Sequence, residues 1–392
     1  MKLILYTFII TKKIYLKDYL CYNIMKSIFF SSIHMPKNIF RRNLLYASYA
    51  SYRSYASSIF TPTIFPRNNI LSDIIYMTNF INPMNNFNKK NIYIYEMFMR
   101  DGLQSLPKIY TLDNKKYFID NLIKCNITNI EFGSTTSPKL LPQMDNSYKL
   151  WNYLEELKLN NKYNLTMLIS NNNGLKESMN FNIKSFGLLC SVSDTFGISN
   201  LKKNADKSFE DMMKQYSIAI ENRNNKHIHI RFYLSCSFGT YLEDFDVEYT
   251  MRLTKYITQI YNTITNDGLT HKNIDIVLCD TMGILTIEIL NRTLNEIIEN
   301  SDLKGIEKYI SLHLHTTNKF HSFIDASLNY NINKFDSSVL NIGGCPFSGK
   351  KNYGNINTLE LVKYLEENNY DTGINFEILE HVEKDMLKIL NE

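Results

Sequence analysis

The chain has 392 residues, 44% of them hydrophobic and 13% aromatic, enough to bury a full core as one α/β domain. Its formal charge of +4 is unevenly placed: residues 1–72 carry ten bases and a single acid, Asp18, which leaves 33 bases against 38 acids from residue 73 on. A slightly acidic body argues against a nucleic-acid partner, which needs a clustered basic face, and no apolar run reaches the about 20 residues that span a bilayer.

In chain order, the first segment is basic, poor in acids and rich in Ser, Tyr and Ala, as in RRNLLYASYASYRSYASSIF. That is the composition of an organelle-targeting extension, expected over residues 1–85, mitochondrial or of a plastid type. A merely disordered tail is the plainer reading. From residue 86 to 392 one catalytic domain is expected. Short β-branched or aromatic runs there alternate with longer amphipathic stretches, the pattern of βα units around a parallel sheet. Eight candidate strands cover 92–98, 128–133, 164–170, 185–192, 229–237, 274–280, 309–315 and 335–342. Eight strands with eight crossovers fit a closed (β/α)8 TIM barrel better than an open sheet. The final NFEILEHVEKDMLKILNE reads as one more helix packed outside it. Six scattered cysteines (21, 125, 190, 236, 279 and 345) make no metal knuckle or redox CxxC pair. A chain with a core this size has no need of disulfides, which points to a reducing compartment.

Chemistry in such a barrel collects at the C-terminal ends of the strands. The first strand leads into MRDGLQ, which puts Arg100 and Asp101 at the mouth, either as active groups or as a surface ion pair before a turn at Gly102. The seventh strand carries HLH. Side chains two apart share a face, so His313 and His315 both face the interior or both face the helices. Facing inward beside a carboxylate, they suit a divalent ion with open positions for substrate; a hydrogen-bonded core pair is the alternative. Asp280 ends the sixth strand and is a base, an anchor for a ligand or a helix cap. Glu131 alternates with Ile130 and Phe132, so inside the barrel it needs a cation, and Arg100 is the obvious partner. After the eighth strand comes GGCPFSGKKNYGN, where Cys345 is a late proton donor on a closing loop or an apolar filler.

Taken in order, RDGLQ, SPKLLPQM, SCSFG, DTMG, HLH and SSVLNIGGCPFS…GN resemble the hydroxymethylglutaryl-CoA lyases, from about residue 92 to the C-terminus. GGCPF after DSSV is the most specific piece; RDGLQ and HxH are shared with the wider Claisen-type enzymes. The resemblance implies a Mg2+ or Mn2+ ion on Asp101, His313, His315 and Asn355. It implies that Arg100 stabilises an enolate oxygen, that Cys345 transfers a proton, and that Asp280 and Glu131 serve in or beside the site. The reaction implied is cleavage of 3-hydroxy-3-methylglutaryl-CoA to acetyl-CoA and acetoacetate, with a coenzyme A thioester as partner and a homodimer as assembly. Lys139, Lys350 and Lys351 are candidates for the coenzyme's phosphates. The chain departs from the family pattern in several places. Met99 stands where proline is usual and Lys108 comes one position late. Thr316 and Thr317 replace an Asp-Thr pair after the second histidine. The loop from Cys345 to Asn355 is one residue longer, and Leu359 stands in place of a glutamate, with Glu360 one late. Two other readings fit these changes: a related lyase with another acyl substrate, and a catalytically decayed barrel kept as a binding subunit.

Overall fold

A computed structural model describes residues 89–159, 163–222, 228–315, 320–344 and 354–391. The extension expected over 1–85 and Cys345 lie outside them. Eight parallel strands close into a barrel. They are β1 (Tyr93–Glu96), β2 (Asn129–Ser134), β3 (Asn164–Ile169), β4 (Ser185–Ser191), β5 (His229–Ser235), β6 (Ile274–Asp280), β7 (Ile310–Leu314) and β8 (Lys334–Ser337). Closure is made by β1 on β8, Tyr93 opposite Lys334 through Glu96 opposite Ser337. Each of the eight expected strands is present.

Six of them stop short of their expected ends, β8 by five residues, β1 and β5 by two and the others by one. β1 ends at Glu96 because that side chain turns back and its Oε1 accepts the Phe98 N–H at 2.9 Å. Phe98–Gly102 then forms a widened helical turn, so Arg100 and Asp101 sit on a turn above the strand. β8 ends at Ser337, and Leu340 and Asn341 take left-handed backbone with φ of 62° and 56°.

Between the strands run α1 (Leu112–Lys124), α2 (Ser147–Glu156), α3 (Asn172–Asn180), α4 (Ala205–Glu221), α5 (Val247–Asn266), α6 (Ile287–Ile298), α7 (Phe320–Asn329) and α8 (Thr358–Glu367). Their starts are chemically marked. Thr111 and Asn114 cap α1 reciprocally, and Asn204, Asp246, Thr286 and Asn357 each accept a backbone N–H of the first turn of α4, α5, α6 and α8. The helices bury one stripe each. On α5 it is Leu253, Tyr256, Ile257, Ile260 and Ile264 at helical spacing, each aliphatic side chain worth roughly 1.5–3 kcal/mol of burial. A last helix, α9 (Phe376–Asn391), packs on α1 and α8. A two-residue pairing of Lys90–Asn91 with Tyr370–Asp371 ties the chain's entry to the segment before α9. Among the described residues no helix is long and apolar enough to cross a membrane.

The main hydrophobic cluster fills the layer between sheet and helices, while the barrel interior holds a small second cluster of Tyr95, Met97, Tyr233, Val277 and Cys279. The rest of that interior is polar. Gly187 makes room there: a Cβ would lie 2.9 Å from the Tyr233 ring and 3.0 Å from Glu131 Oε1.

Candidate metal and catalytic site

His313 on β7 and His315, one residue past the strand, both face inward and are 5% and 4% exposed. Their Nε2 atoms lie 2.9 Å apart. His313 Nδ1 meets Asp336 Oδ2 at 3.0 Å, and His315 Nδ1 meets the Thr281 carbonyl at 3.3 Å. An acceptor on each Nδ1 fixes the proton there, so two Nε2 lone pairs point at one another. That arrangement is repulsive unless a cation sits between them. Burial and then the neighbouring His313 push the His315 imidazolium down to about 4, which keeps this ring neutral at ordinary pH.

Asp101 completes the group: its ligand oxygen and one nitrogen of each histidine lie within 4.8 Å of one another. Burial opposes its charge, yet Arg100 and the histidines hold its carboxyl well below the usual range. Asn355 is fully buried and donates from Nδ2 to Asp101 Oδ2 at 2.7 Å, while its Oδ1 has no hydrogen-bond partner. A buried carbonyl oxygen left unmatched beside a carboxylate and two free imidazole nitrogens is a donor set for a hard divalent ion. The chain comes close enough through glycine: Gly343 and Gly344 have φ of 153° and 113°, a Cβ on Gly343 would lie 1.9 Å from Asn355 Nδ2, and Gly344 N–H donates to Asp101 Oδ2 at 3.0 Å.

Arg100 lies against this cluster. Its Nε donates to Glu131 Oε2 at 2.6 Å and its Nη1 to Asp101 Oδ1 at 2.8 Å. Burial works against the charge, but these two carboxylates raise the guanidinium's hold on its proton. Glu131, wholly buried, is pushed up by burial, and its Oε1 has no partner. The pairing expected from alternation is therefore present. Asp280 ends β6, and its oxygens accept the N–H groups of Ile284 at 3.0 Å and Leu285 at 3.3 Å, so it braces the loop after the strand. Burial lifts its carboxyl to about 7 against those hydrogen bonds. Lys139 is exposed, and Lys350 and Lys351 lie outside the described residues.

Three groups that the sequence reading did not single out support the site. Asp336 on β8 orients His313 and in turn holds Arg231, whose Nη2 donates to Asp336 Oδ1 at 2.6 Å. Arg231 is fully buried on β5, with its guanidinium 3.7 Å from the centre of the Tyr95 ring and its Nε 3.3 Å from Asp275 Oδ2. Lys334 Nζ reaches the other Asp275 oxygen at 2.5 Å. Lys334, Asp275, Arg231 and Asp336 thus form one column of alternating charge along the barrel interior, which ends at His313. The signal for it was parity: His229, Arg231 and Tyr233 share the inward face of β5. Glu96 is the third. Its Oε1 accepts from Phe98 and from Val339 N–H at 3.1 Å, and its Oε2 accepts the Thr358 hydroxyl at 2.7 Å, so one buried carboxyl joins the turn after β1 to the loop after β8. The departures after His315 do not strip the imidazoles of partners, since Asp336 and the Thr281 carbonyl orient them. Glu360 is exposed on the first turn of α8.

The sequence model of the HMGL-like family matches residues 91–386. Human mitochondrial hydroxymethylglutaryl-CoA lyase is 27% identical over 294 residues, covering 74% of this chain and 83% of its own. The Pseudomonas mevalonii hydroxymethylglutaryl-CoA lyase is 24% identical, with 74% and 90% covered. Among solved structures, the Bacillus subtilis HMG-CoA lyase aligns with a TM-score of 0.67 at 24% identity, covering 78% of this chain and 95% of that one. An HMG-CoA lyase from Acenitobacter baumannii in complex with coenzyme A and 3-methylmalate aligns at 0.65 and 23% identity, with 77% and 92% covered. With the closed eight-stranded barrel and a family match over three-quarters of its length, the chain belongs to the HMGL-like family.

Proposed function

We propose that the protein cleaves 3-hydroxy-3-methylglutaryl-CoA to acetyl-CoA and acetoacetate. The observation that carries this reading is the convergence at the barrel mouth of two facing imidazole nitrogens and Asp101, with Asn355 bonded to Asp101 and Arg100 alongside. Asp101, His313, His315 and Asn355 would hold Mg2+ or Mn2+, which supplies Lewis acidity and a template for the substrate's C3 hydroxyl and a neighbouring oxygen. The protein's own groups do the rest. Asp280, at the mouth end of β6, takes the hydroxyl proton in this reading. As C3 becomes a ketone, the C2–C3 bond breaks and its electrons pass into the enolate of acetyl-CoA. Arg100, fixed by Glu131, stabilises that oxyanion in a dry site. Cys345 delivers the proton to C2. The relatives' names and the coenzyme A complex of a structural neighbour support a thioester substrate.

The full-length protein incubated with hydroxymethylglutaryl-CoA and Mg2+ or Mn2+ should release acetoacetate. Metal binding without acetoacetate would overturn the reading. Replacing Cys345 by Ala should lower kcat at least about a hundredfold, the worth of a positioned general acid, with metal affinity unchanged; normal turnover with a lowered melting point would make it a packing residue. The same reading includes a homodimer, checked by sedimentation, and delivery to mitochondria by residues 1–85. Fused to a fluorescent reporter, that segment should localise to the organelle, and a diffuse cytosolic signal would refute it.

A further inference from the structure

The opposite end of the barrel holds a cavity of about 1000 Å³, at the upper end of small-molecule sites. It is framed by the N-terminal ends of the strands, far from His313 and His315 at the other mouth. Among the described residues Lys184, Lys272, Lys308, Lys334, His229 and His271 line it, and Asp275 is the one carboxylate among them. The four lysines among these concentrate positive charge on a body with more acids than bases. Asp275 is also fully engaged: Oδ1 takes Lys334 at 2.5 Å, and Oδ2 takes His229 Nε2 at 3.2 Å and Arg231 Nε at 3.3 Å. Lys184, Lys272 and Lys308 make no ion pair among the described residues. Burial and then Lys334, Lys308 and Lys272 push the His271 imidazolium down, with Asp275 opposing them. Trp151 and Tyr163 supply an aromatic wall.

We propose that this cavity is a second ligand site, separate from the metal centre, for a small multivalent anion such as a phosphate ester or a polycarboxylate. Lys184, Lys272 and Lys308 are the unneutralised cations that receive it, with the Lys334 ammonium at the floor. Lysine suits the role because its ammonium acts as a mobile point charge on oxyanions. Anions held there meet the barrel's polar column at Lys334 and Asp275.

Trp151 is the chain's single tryptophan and lies in the cavity wall, so the site carries its own reporter. The full-length, Mg2+-loaded protein is titrated with fructose 1,6-bisphosphate, with tricarballylate, and with sodium chloride at matched ionic strength. Tryptophan emission and heat of binding are followed together. A saturable response to the bisphosphate or the tricarboxylate, not reproduced by chloride, is expected, and the stronger of the two names the anion class. The double variant Lys272→Glu, Lys308→Glu changes two exposed side chains. It should weaken that response at least about tenfold, as reversing two charges beside a polyanion must, with Mg2+ affinity and melting temperature kept. The proposal is overturned if neither probe binds beyond chloride, or if the variant binds as tightly as the parent. Neither result bears on acetoacetate release, which tests the other mouth.

Discussion

Two imidazoles with Nε2 atoms 2.9 Å apart and Nδ1 protons committed elsewhere are an unfinished arrangement in a protein interior. The partner that fixes His313 is Asp336. Substituting Asp336→Asn should weaken divalent-metal binding about 10–100-fold, the usual effect of losing a ligand's orienting carboxylate. Calorimetric titration of the folded variant with Mn2+ checks this; unchanged affinity would mean that the imidazole is oriented without it. Asn355→Ala should likewise lower metal affinity, and because it also removes the Nδ2–H donor to buried Asp101 it should lower the melting temperature. Strand parity put His313 and His315 on one face and strand-end placement put Asp101 at the mouth, while their choice as metal ligands came from the family resemblance. His313, His315 and Asp101 needed no knowledge of distant partners. Asp336 and Arg231 did. A charged residue within a strand reads the same whether it faces water or a counter-ion, and the bond from β5 to β8 spans 105 positions of sequence.

At the scale of elements, the strands themselves were readable because β-branched and aromatic runs mark them. The ends of β1 and β8 were not, because apolar residues continue past the last ladder bonds at Glu96 and Ser337. What ends them is side-chain chemistry. Glu96 gathers the Phe98, Val339 and Thr358 donors, and Glu383 of α9 accepts Leu340 N–H at 2.6 Å and Asn357 Nδ2 at 2.7 Å. The outer helix thereby fixes the turn that leads to Gly343. Replacing Glu383 by Ala should reduce turnover more than it reduces the melting temperature; an equal fall in both would make the contact purely structural. Glu96 gives a pH signature. Burial raises its carboxyl from the usual value near 4.5 to about 7, so between those values the folded protein holds a proton that the unfolded chain releases. Its contribution to stability is therefore present at low pH and lost as pH rises through about 7. Glu96→Gln removes that titration. The stability of the parent minus that of the variant should fall from pH 4.5 to pH 7 in urea unfolding, and a flat difference would contradict the assignment.

For the molecule as a whole, the polar column matters more than any single contact. Arg231→Met would leave Asp275 and Asp336 buried without their shared cation, and removing one partner of such a set costs about 3–5 kcal/mol. Urea denaturation should show that loss, and a variant as stable as the parent would show that the carboxylates find other partners. The column also has a bearing on assembly. Arg231 on β5 finds Asp336 only on β8 and the Tyr95 ring only on β1, the last and first strands to be paired. An unclosed barrel would therefore expose a hydrated charged seam and would gain little by collapsing around it. Full matching of the central charges, across β5, β8 and β1, exists only in the closed ring of strands.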